Sequence, residues 1–203
     1  MSMRSSTHWQ RKGYSVRIIA GKYRHRKLYC LEGQSIRPTL DRVKESLFSI
    51  LTPKIPGARV VDFFAGTGNM AIEAISRGAS FACLVDQSRD SIQVIQKNLD
   101  SLGLRDEVEV WNLPHLSAIH KLKQEKAKFD IVFLDPPYGK NLVPECLQEL
   151  ADAKLLVKGA VIVAEHHIKE ELPQRVAGLV QFRHKLYGQV SITLFKHQPE
   201  KHG

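Results

Sequence analysis

The chain has 203 residues, enough for one domain with an appendage and a sizeable core, and no run of about 18 apolar residues of the kind a membrane span needs. Its three cysteines, Cys30, Cys83 and Cys146, lie far apart and form neither a disulfide framework nor a metal-ligand spacing, and residues 1–13 carry no apolar signal core, so the expectation is a soluble cytoplasmic protein. Net charge is +9, and eight of those charges sit in residues 1–30, where Arg4, Arg11, Lys12, Arg17, Lys22, Arg24, Arg26 and Lys27 stand without an acid; a basic front on a near-neutral body is the footprint of a polyanion binder.

Within that front, Val16-Arg17-Ile18-Ile19 and Lys27-Leu28-Tyr29 flank the basic turn Gly21-Lys22-Tyr23-Arg24, a pattern that predicts a β-hairpin. Tyr23 and Tyr29, interleaved with cations, suit base stacking, which makes Arg17, Lys22, Arg24, Arg26 and Lys27 candidates for nucleic-acid contact. Residues 1–35 are expected to form a basic arm and hairpin, and residues 36–203 the main domain. Leu40, Val43, Leu47, Ile50 and Leu51 then recur at helical spacing, with Thr39 or Asp41 suited to cap the helix start. The bland account is an amphipathic helix closing one side of the core. The functional account adds that Thr39 and Arg37 cover a cofactor pocket or grip a phosphate, and that Arg42 extends the cationic surface.

Residues 59–64 predict a buried strand that runs into Ala65-Gly66-Thr67-Gly68-Asn69-Met70-Ala71 and then into a helix around Ile72-Glu73-Ala74-Ile75. Strand, glycine-rich turn and helix form a nucleotide-cofactor arrangement, in which Gly66 and Gly68 allow a tight turn and close approach of a ligand. A second strand over residues 81–85 ends at Asp86, where an acid can accept both ribose hydroxyls. The same glycine spacing satisfies a dinucleotide fingerprint. Two features count against it: the Asp135-Pro136-Pro137-Tyr138 loop, which hydride transfer does not need, and Asp62, because a carboxylate four residues before Gly66 repels a pyrophosphate but attracts the ammonium of an amino acid. This favours S-adenosylmethionine over NAD, with Asp62, Gly66, Gly68 and Asp86 as the residues suited to hold it. A P-loop is excluded, since no Gly-Lys-[Ser/Thr] follows the glycines.

Downstream, a helix is expected over residues 89–102, a strand over 108–111, a helix over 116–126 and a strand over 129–134. Asn112 and Leu113, after the third strand, stand where the adenine would lie. The strand ending at Leu134 feeds Asp135-Pro136-Pro137-Tyr138. Prolines stiffen the loop and leave their carbonyls free as acceptors. A carboxylate, rigid acceptors and an aromatic ring together suit an exocyclic amino group on a flat base. A helix over 143–150, a strand over 160–164, and an antiparallel pair at 181–186 and 190–195 complete the chain. His115, His120, His166 and His167 have no convincing metal spacing and are taken as packing or solvent residues. Strands alternating with helices predict an α/β, Rossmann-like, mostly parallel sheet with an antiparallel C-terminal strand. Asp62, Gly66, Asp86, Asn112 and Asp135 should share one rim of it.

The chain resembles class I S-adenosylmethionine-dependent methyltransferases of the RsmD family, which methylate the exocyclic N2 of a guanine in bacterial 16S rRNA. The resemblance rests on Arg17-Ile18-Ile19-Ala20-Gly21, Arg37-Pro38-Thr39-x-Asp41-Arg42-Val43-Lys44-Glu45-x-Leu47-Phe48, Asp62-x-Phe64-Ala65-Gly66-Thr67-Gly68, Ser76-Arg77-Gly78-Ala79 and Asp135-Pro136-Pro137-Tyr138, and covers nearly the whole chain. It implies that residues 62–68 hold the methionine part, Asp86 the ribose, and Asp135, Pro136, Pro137 and Tyr138 the target base. It implies 16S rRNA as the substrate, alone or in an assembling small subunit, while nothing in the sequence itself demands more than a monomer or calls for a metal or a membrane. Three departures stand out: Asp86 replaces the usual Glu, His25 replaces a hairpin Gly, and the loop after the third strand lacks its usual acid. Other readings are an N6-adenine nucleic-acid methyltransferase, a protein-glutamine methyltransferase, and a nucleic-acid-binding assembly factor with a vestigial pocket.

Overall fold

Short β-branched runs bounded by turn residues produce parallel strands, and amphipathic segments between them fold back as helices on both faces. The computed structural model describes residues 16–31 and 38–198. Two two-residue strands, β1 (Val16–Arg17) and β2 (Lys27–Leu28), pair antiparallel in a small sheet of their own. Then follow α1 (Pro38–Leu51), β3 (Arg59–Asp62), α2 (Asn69–Ser76), β4 (Phe81–Asp86), α3 (Arg89–Leu102), β5 (Val108–Asn112), α4 (His115–Gln124), β6 (Phe129–Leu134) and α5 (Leu142–Asp152). The chain ends in β7 (Leu156–His167), β8 (Arg175–Val176), β9 (Leu179–Tyr187) and β10 (Val190–His197).

The main sheet has the order β5-β4-β3-β6-β7-β10-β9-β8. Strands β3 to β7 pair in parallel. Strand β10 inserts antiparallel between β7 and β9, so β9 again runs with the parallel set. The antiparallel C-terminal strand expected from the sequence is β10; the two-residue β8, paired antiparallel to β9, was too short to leave a pattern. Helices α1, α2 and α3 bury Phe48, Leu51, Ile72 and Ile95 on one face of the sheet. Helices α4 and α5 bury Ile119, Leu122, Cys146 and Leu147 on the other. Among the described residues, no helix is long and apolar enough to cross a membrane.

Helix α3 keeps its predicted limits because its ends are written chemically: the Ser88 hydroxyl accepts Ser91 N–H at 3.3 Å, and Gly103 turns the chain with φ +68°. The hairpin strands are shorter than expected, and the reason is local. After Arg17, the Ile19 and Ala20 amides donate to the Glu73 carboxylate at 2.8 and 3.1 Å instead of across the hairpin. Beyond Leu28, Tyr29 N–H donates to Asn98 Oδ1 at 2.7 Å. Side chains of α2 and α3 thus end the pairing. Gly21 lies against α2 so closely that a Cβ there would fall 1.8 Å from the Ser76 carbonyl oxygen.

Candidate active site

In a parallel sheet the carboxyl ends of the strands share one edge, and helix connections open a crevice above it. Strands β3, β4 and β6 deliver Asp62, Asp86 and Asp135 to that edge. Above it lies a cavity of about 410 Å³ whose wall includes Phe64, Gly66, Asp86, Asp135, Tyr138 and Glu165.

The glycine turn is braced from both sides. Ala65 N–H donates to the Val85 carbonyl at 3.0 Å, Gly66 N–H to Asp86 Oδ2 at 2.9 Å, and Gly68 N–H to the Ala65 carbonyl at 2.6 Å. Gly68 has φ +78°, and a Cβ there would stand 2.8 Å from Leu84 Cδ2, so turn and packing both require glycine. The Thr67 carbonyl accepts from Asn98 Nδ2 at 2.9 Å, which ties the turn to α3 and, through the Asn98 contact with Tyr29, to the hairpin.

Asp86 accepts Ser88 N–H on Oδ1 at 2.8 Å as well as Gly66 N–H on Oδ2, which leaves each oxygen a second lone pair facing the cavity. Asn112 lies at the edge rather than on the cavity wall and donates from Nδ2 to the Asp86 carbonyl at 3.0 Å. Leu113 packs against the α4–α5 side of the core. Thr39 falls in the first turn of α1, and its side chain, like the whole of Arg37, lies outside the described residues. Asp62 is buried beneath the cavity floor, and the Phe64 amide donates to it at 3.3 Å. Burial raises its pKa to about 7, the Phe64 amide opposes that rise, and the Asp86 charge adds to it.

The Asp135 carboxyl opens on the cavity, yet surrounding protein strips much of the solvation from its charged form. That, together with the charges of Glu165 and Asp62, raises its pKa well above the usual carboxylate value. Pro136 is buried beside it. Tyr138 is 47% exposed and donates its hydroxyl to Glu165 Oε1 at 2.8 Å, with its ring edge-on to His167 at 6.0 Å. Gly139 N–H donates to Glu170 Oε1 at 2.8 Å, so two glutamates hold the loop. Glu165 itself is raised in pKa by burial, against the lowering effect of the Tyr138 hydroxyl.

Five residues of this cavity, Phe63, Gln87, Ser91, His115 and Glu165, were not among the site residues expected from the sequence. Glu165 follows directly on the predicted strand 160–164, which extends to His167, and its polarity hid its place on β7. His115, read as a packing or solvent residue, opens α4 and packs its ring at a tilt of 38° against Phe64, at a centroid distance of 5.1 Å, on the cavity wall. Among the described residues, no cluster of metal-ligating side chains occurs.

The predicted cations divide into two groups. Lys22, Arg24, Lys27 and Arg42 are exposed. Arg17 donates from Nε to Asp41 Oδ2 at 2.8 Å, and Arg26 donates from Nη2 to the Ser101 carbonyl at 2.6 Å, so both are partly committed to the fold. Arg4, Arg11 and Lys12 lie outside the described residues. His25 has φ +68°, which accounts for the glycine usual at that point of the hairpin.

Residues 16–196 match the model of a family described as conserved hypothetical protein 95. Ribosomal RNA small subunit methyltransferase D of Escherichia coli strain K12 is 36% identical over 185 residues, which cover 91% of this chain and 91% of that protein. The protein of the same name from Haemophilus influenzae is 36% identical over 178 residues, 83% of this chain and 92% of its own length. Among solved structures, yhhF of Escherichia coli superposes with a TM-score of 0.80 at 35% identity, covering 92% of this chain and 100% of that one. HI0767 of Haemophilus influenzae superposes with a TM-score of 0.76 at 34% identity, covering 91% and 99%.

Proposed function

The chain belongs to the conserved hypothetical protein 95 family, the RsmD family, and on that premise we propose that it is an S-adenosylmethionine-dependent methyltransferase acting on the exocyclic N2 amino group of a guanine in 16S rRNA. The observation that carries the reading is that the Gly66–Asp86 contact and the Asp135-Pro136-Pro137-Tyr138 loop line one cavity.

The residues fit that cofactor. A Cβ at Gly66 would meet only the Phe64 carbonyl oxygen, at 4.0 Å, so the backbone is open to a ligand. Asp62 is a buried carboxylate with a single amide donor among the described residues, suited to receive an ammonium. The free lone pairs of Asp86 suit the ribose hydroxyls. Asn112 and Leu113 are assigned to the adenine end, and Thr39 to the cofactor. When bound, S-adenosylmethionine supplies a methyl group on a positively charged sulfur.

The protein's part is alignment and charge. A guanine amino nitrogen is conjugated with its ring and is a poor nucleophile. Asp135 and the Pro136 carbonyl accept its two N–H groups, favour a pyramidal nitrogen and aim its lone pair along the line of displacement. Tyr138 stacks on a base splayed out of its helix. Asp135 stabilises the positive charge that develops on nitrogen. Its raised pKa suits it to take the proton the nitrogen then releases. Lys22, Arg24, Arg26, Lys27 and Arg42, with Arg17 and Arg37, hold the RNA backbone. We infer a cytoplasmic monomer acting on 16S rRNA, alone or within an assembling small subunit.

The test is methyl transfer from labelled S-adenosylmethionine to undermethylated small subunits, naked rRNA, DNA and protein in parallel, followed by nucleoside analysis. N2-methylguanosine in 16S rRNA is expected. N6-methyladenine or labelled protein would overturn the substrate, and no label in any arm would overturn the enzyme.

A further inference from the structure

Four polar wall residues, Gln87, Ser91, His115 and Glu165, are left unused by the methyl-transfer chemistry above, and Glu165 is the one tied to the base-binding loop. Glu165 comes from β7, the strand beside β6, and stands on the same wall as Asp135 and Tyr138. One of its oxygens, Oε1, receives the Tyr138 hydroxyl at 2.8 Å, and no other hydrogen-bond partner of Glu165 occurs among the described residues. An ionised carboxylate offers about four acceptor positions, so the Tyr138 contact leaves most of its capacity unused on the cavity wall.

The edge chemistry of the bases makes this arrangement selective. Guanine places N1–H next to its N2 amino group, so its edge presents adjacent donors. Adenine places an unprotonated N1, an acceptor, next to its N6 amino group. A receptor for an amino group alone needs one set of acceptors, which Asp135 and the Pro136 carbonyl provide. A receptor for guanine needs a second acceptor beside the first, and it repels adenine because two acceptors then face each other.

We propose that Glu165 is the specificity-determining residue for guanine: anchored by Tyr138, its carboxylate accepts N1–H of the base whose amino group Asp135 receives. The inference rests on the guanine-N2 reading above and deepens it. Both carboxylates stand on the wall of one cavity, the Glu165 charge disfavours ionisation of Asp135, and a base edge carrying donors to both relieves that repulsion. The Tyr138 hydroxyl can only donate to an ionised Glu165, which keeps the glutamate an acceptor and sets the ring that stacks on the same base. Glu170, through Gly139, holds the other end of the loop and fixes the distance between the two readers.

The experiment compares 16S rRNA carrying guanine at the target position with the same RNA carrying 2-aminopurine there, introduced by splinted ligation. 2-Aminopurine keeps the amino group but has an unprotonated N1. Wild-type protein is expected to prefer guanine in kcat/KM by at least about 100-fold, as a site built around a substrate donor does. Glu165→Gln still accepts the Tyr138 hydroxyl but turns an amide N–H toward N1. It should lose about 10- to 100-fold on guanine and shrink the preference to less than about 10-fold. Tyr138→Phe removes the anchor but leaves the acceptor, and should narrow the preference less than Glu165→Gln does.

Binding of S-adenosylhomocysteine within about 3-fold of wild type checks that each variant is folded. An equal loss on both RNAs in Glu165→Gln, with the ratio unchanged, overturns the proposal and leaves Glu165 as a loop anchor. Collapse of the ratio in Tyr138→Phe alone overturns it in the same way. If wild-type protein methylates neither RNA, the guanine-N2 reading itself fails, and this inference falls with it.

Discussion

Glu73 and Asp62 are both acids buried against the same sheet, and the fold treats them in opposite ways. Glu73, on α2, is 0% exposed and surrounded by donors: Lys44 Nζ at 3.0 Å, Arg77 Nε at 2.7 Å, and the amides of Ile19 and Ala20. Burial pushes its pKa up, but Lys44, the Ile19 amide and Arg77 outweigh burial and hold it below the usual value. Lys44 shifts the other way: burial lowers its ammonium pKa by more than Glu73 restores. The contacts favour the ionised pair, since Lys44 Nζ also donates to the Arg17 carbonyl and to Asn69 Oδ1, each at 2.7 Å. Asp62, 3% exposed, has one amide donor and a pKa near 7. A carboxylate that the protein satisfies by itself is an anchor, here fastening the hairpin to α1 and α2. A buried carboxylate left without a cation is a place where a ligand brings one.

The contrast can be broken most severely at Glu73. Glu73→Ala leaves Lys44 and Arg77 without their shared partner and should cost about 3–5 kcal/mol in a denaturant titration. A loss below about 1 kcal/mol would mean the hairpin is held by packing alone. Asp62 should show its difference as a pH effect. Because its folded pKa is raised, the folded state takes up a proton as pH falls through 7. Its contribution to stability is therefore greatest at low pH and is lost as pH rises from the unfolded value of 3.8 through about 7. Ligand binding has the opposite sign, since an ammonium needs the ionised acid. Affinity for S-adenosylhomocysteine should fall by up to about tenfold per pH unit below 7, level off above it, and become pH-insensitive in Asp62→Asn. A flat profile in wild-type protein would remove Asp62 from the ammonium site.

Smaller effects belong to the hairpin that Glu73 anchors. Replacing Arg24, Arg26 and Lys27 by Ala should weaken RNA binding and reduce the slope of log K against log salt by about 2, with the cofactor affinity unchanged. An unaltered slope would take the hairpin out of the RNA interface. His25→Gly should stabilise the fold by about 1 kcal/mol or less, by relieving a side chain held at φ +68°. A drop in melting temperature would show that the imidazole makes up for its backbone strain.

Sequence patterns carry the parts of this molecule that depend on neighbours along the chain. Helix α3 is bounded by Ser88 and Gly103, and β6 ends at the loop that Pro136 and Pro137 stiffen. Asp62, Asp86 and Asp135 were legible because parallel strands bring their carboxyl ends together whatever lies between. What was not legible depends on contacts across the fold. Glu73 looks like an ordinary polar helix position until Lys44 and the hairpin close over it. Glu165 follows the apolar part of its strand, and only the approach of Tyr138 gives it a role. His115 packs against Phe64 although 51 positions separate them. The hairpin pairing was overestimated because α2 and α3 side chains take its amides.

The measurement that bears most directly on the central claim is a paired assay of Asp135→Ala: equilibrium binding of S-adenosylhomocysteine, and single-turnover methyl transfer to small subunits. The account predicts a loss of at least about 1,000-fold in transfer with binding within about 3-fold of wild type, since Asp135 receives the amino group and stabilises charge only as the bond forms. Loss of binding together with transfer, or transfer near the wild-type rate, would contradict it.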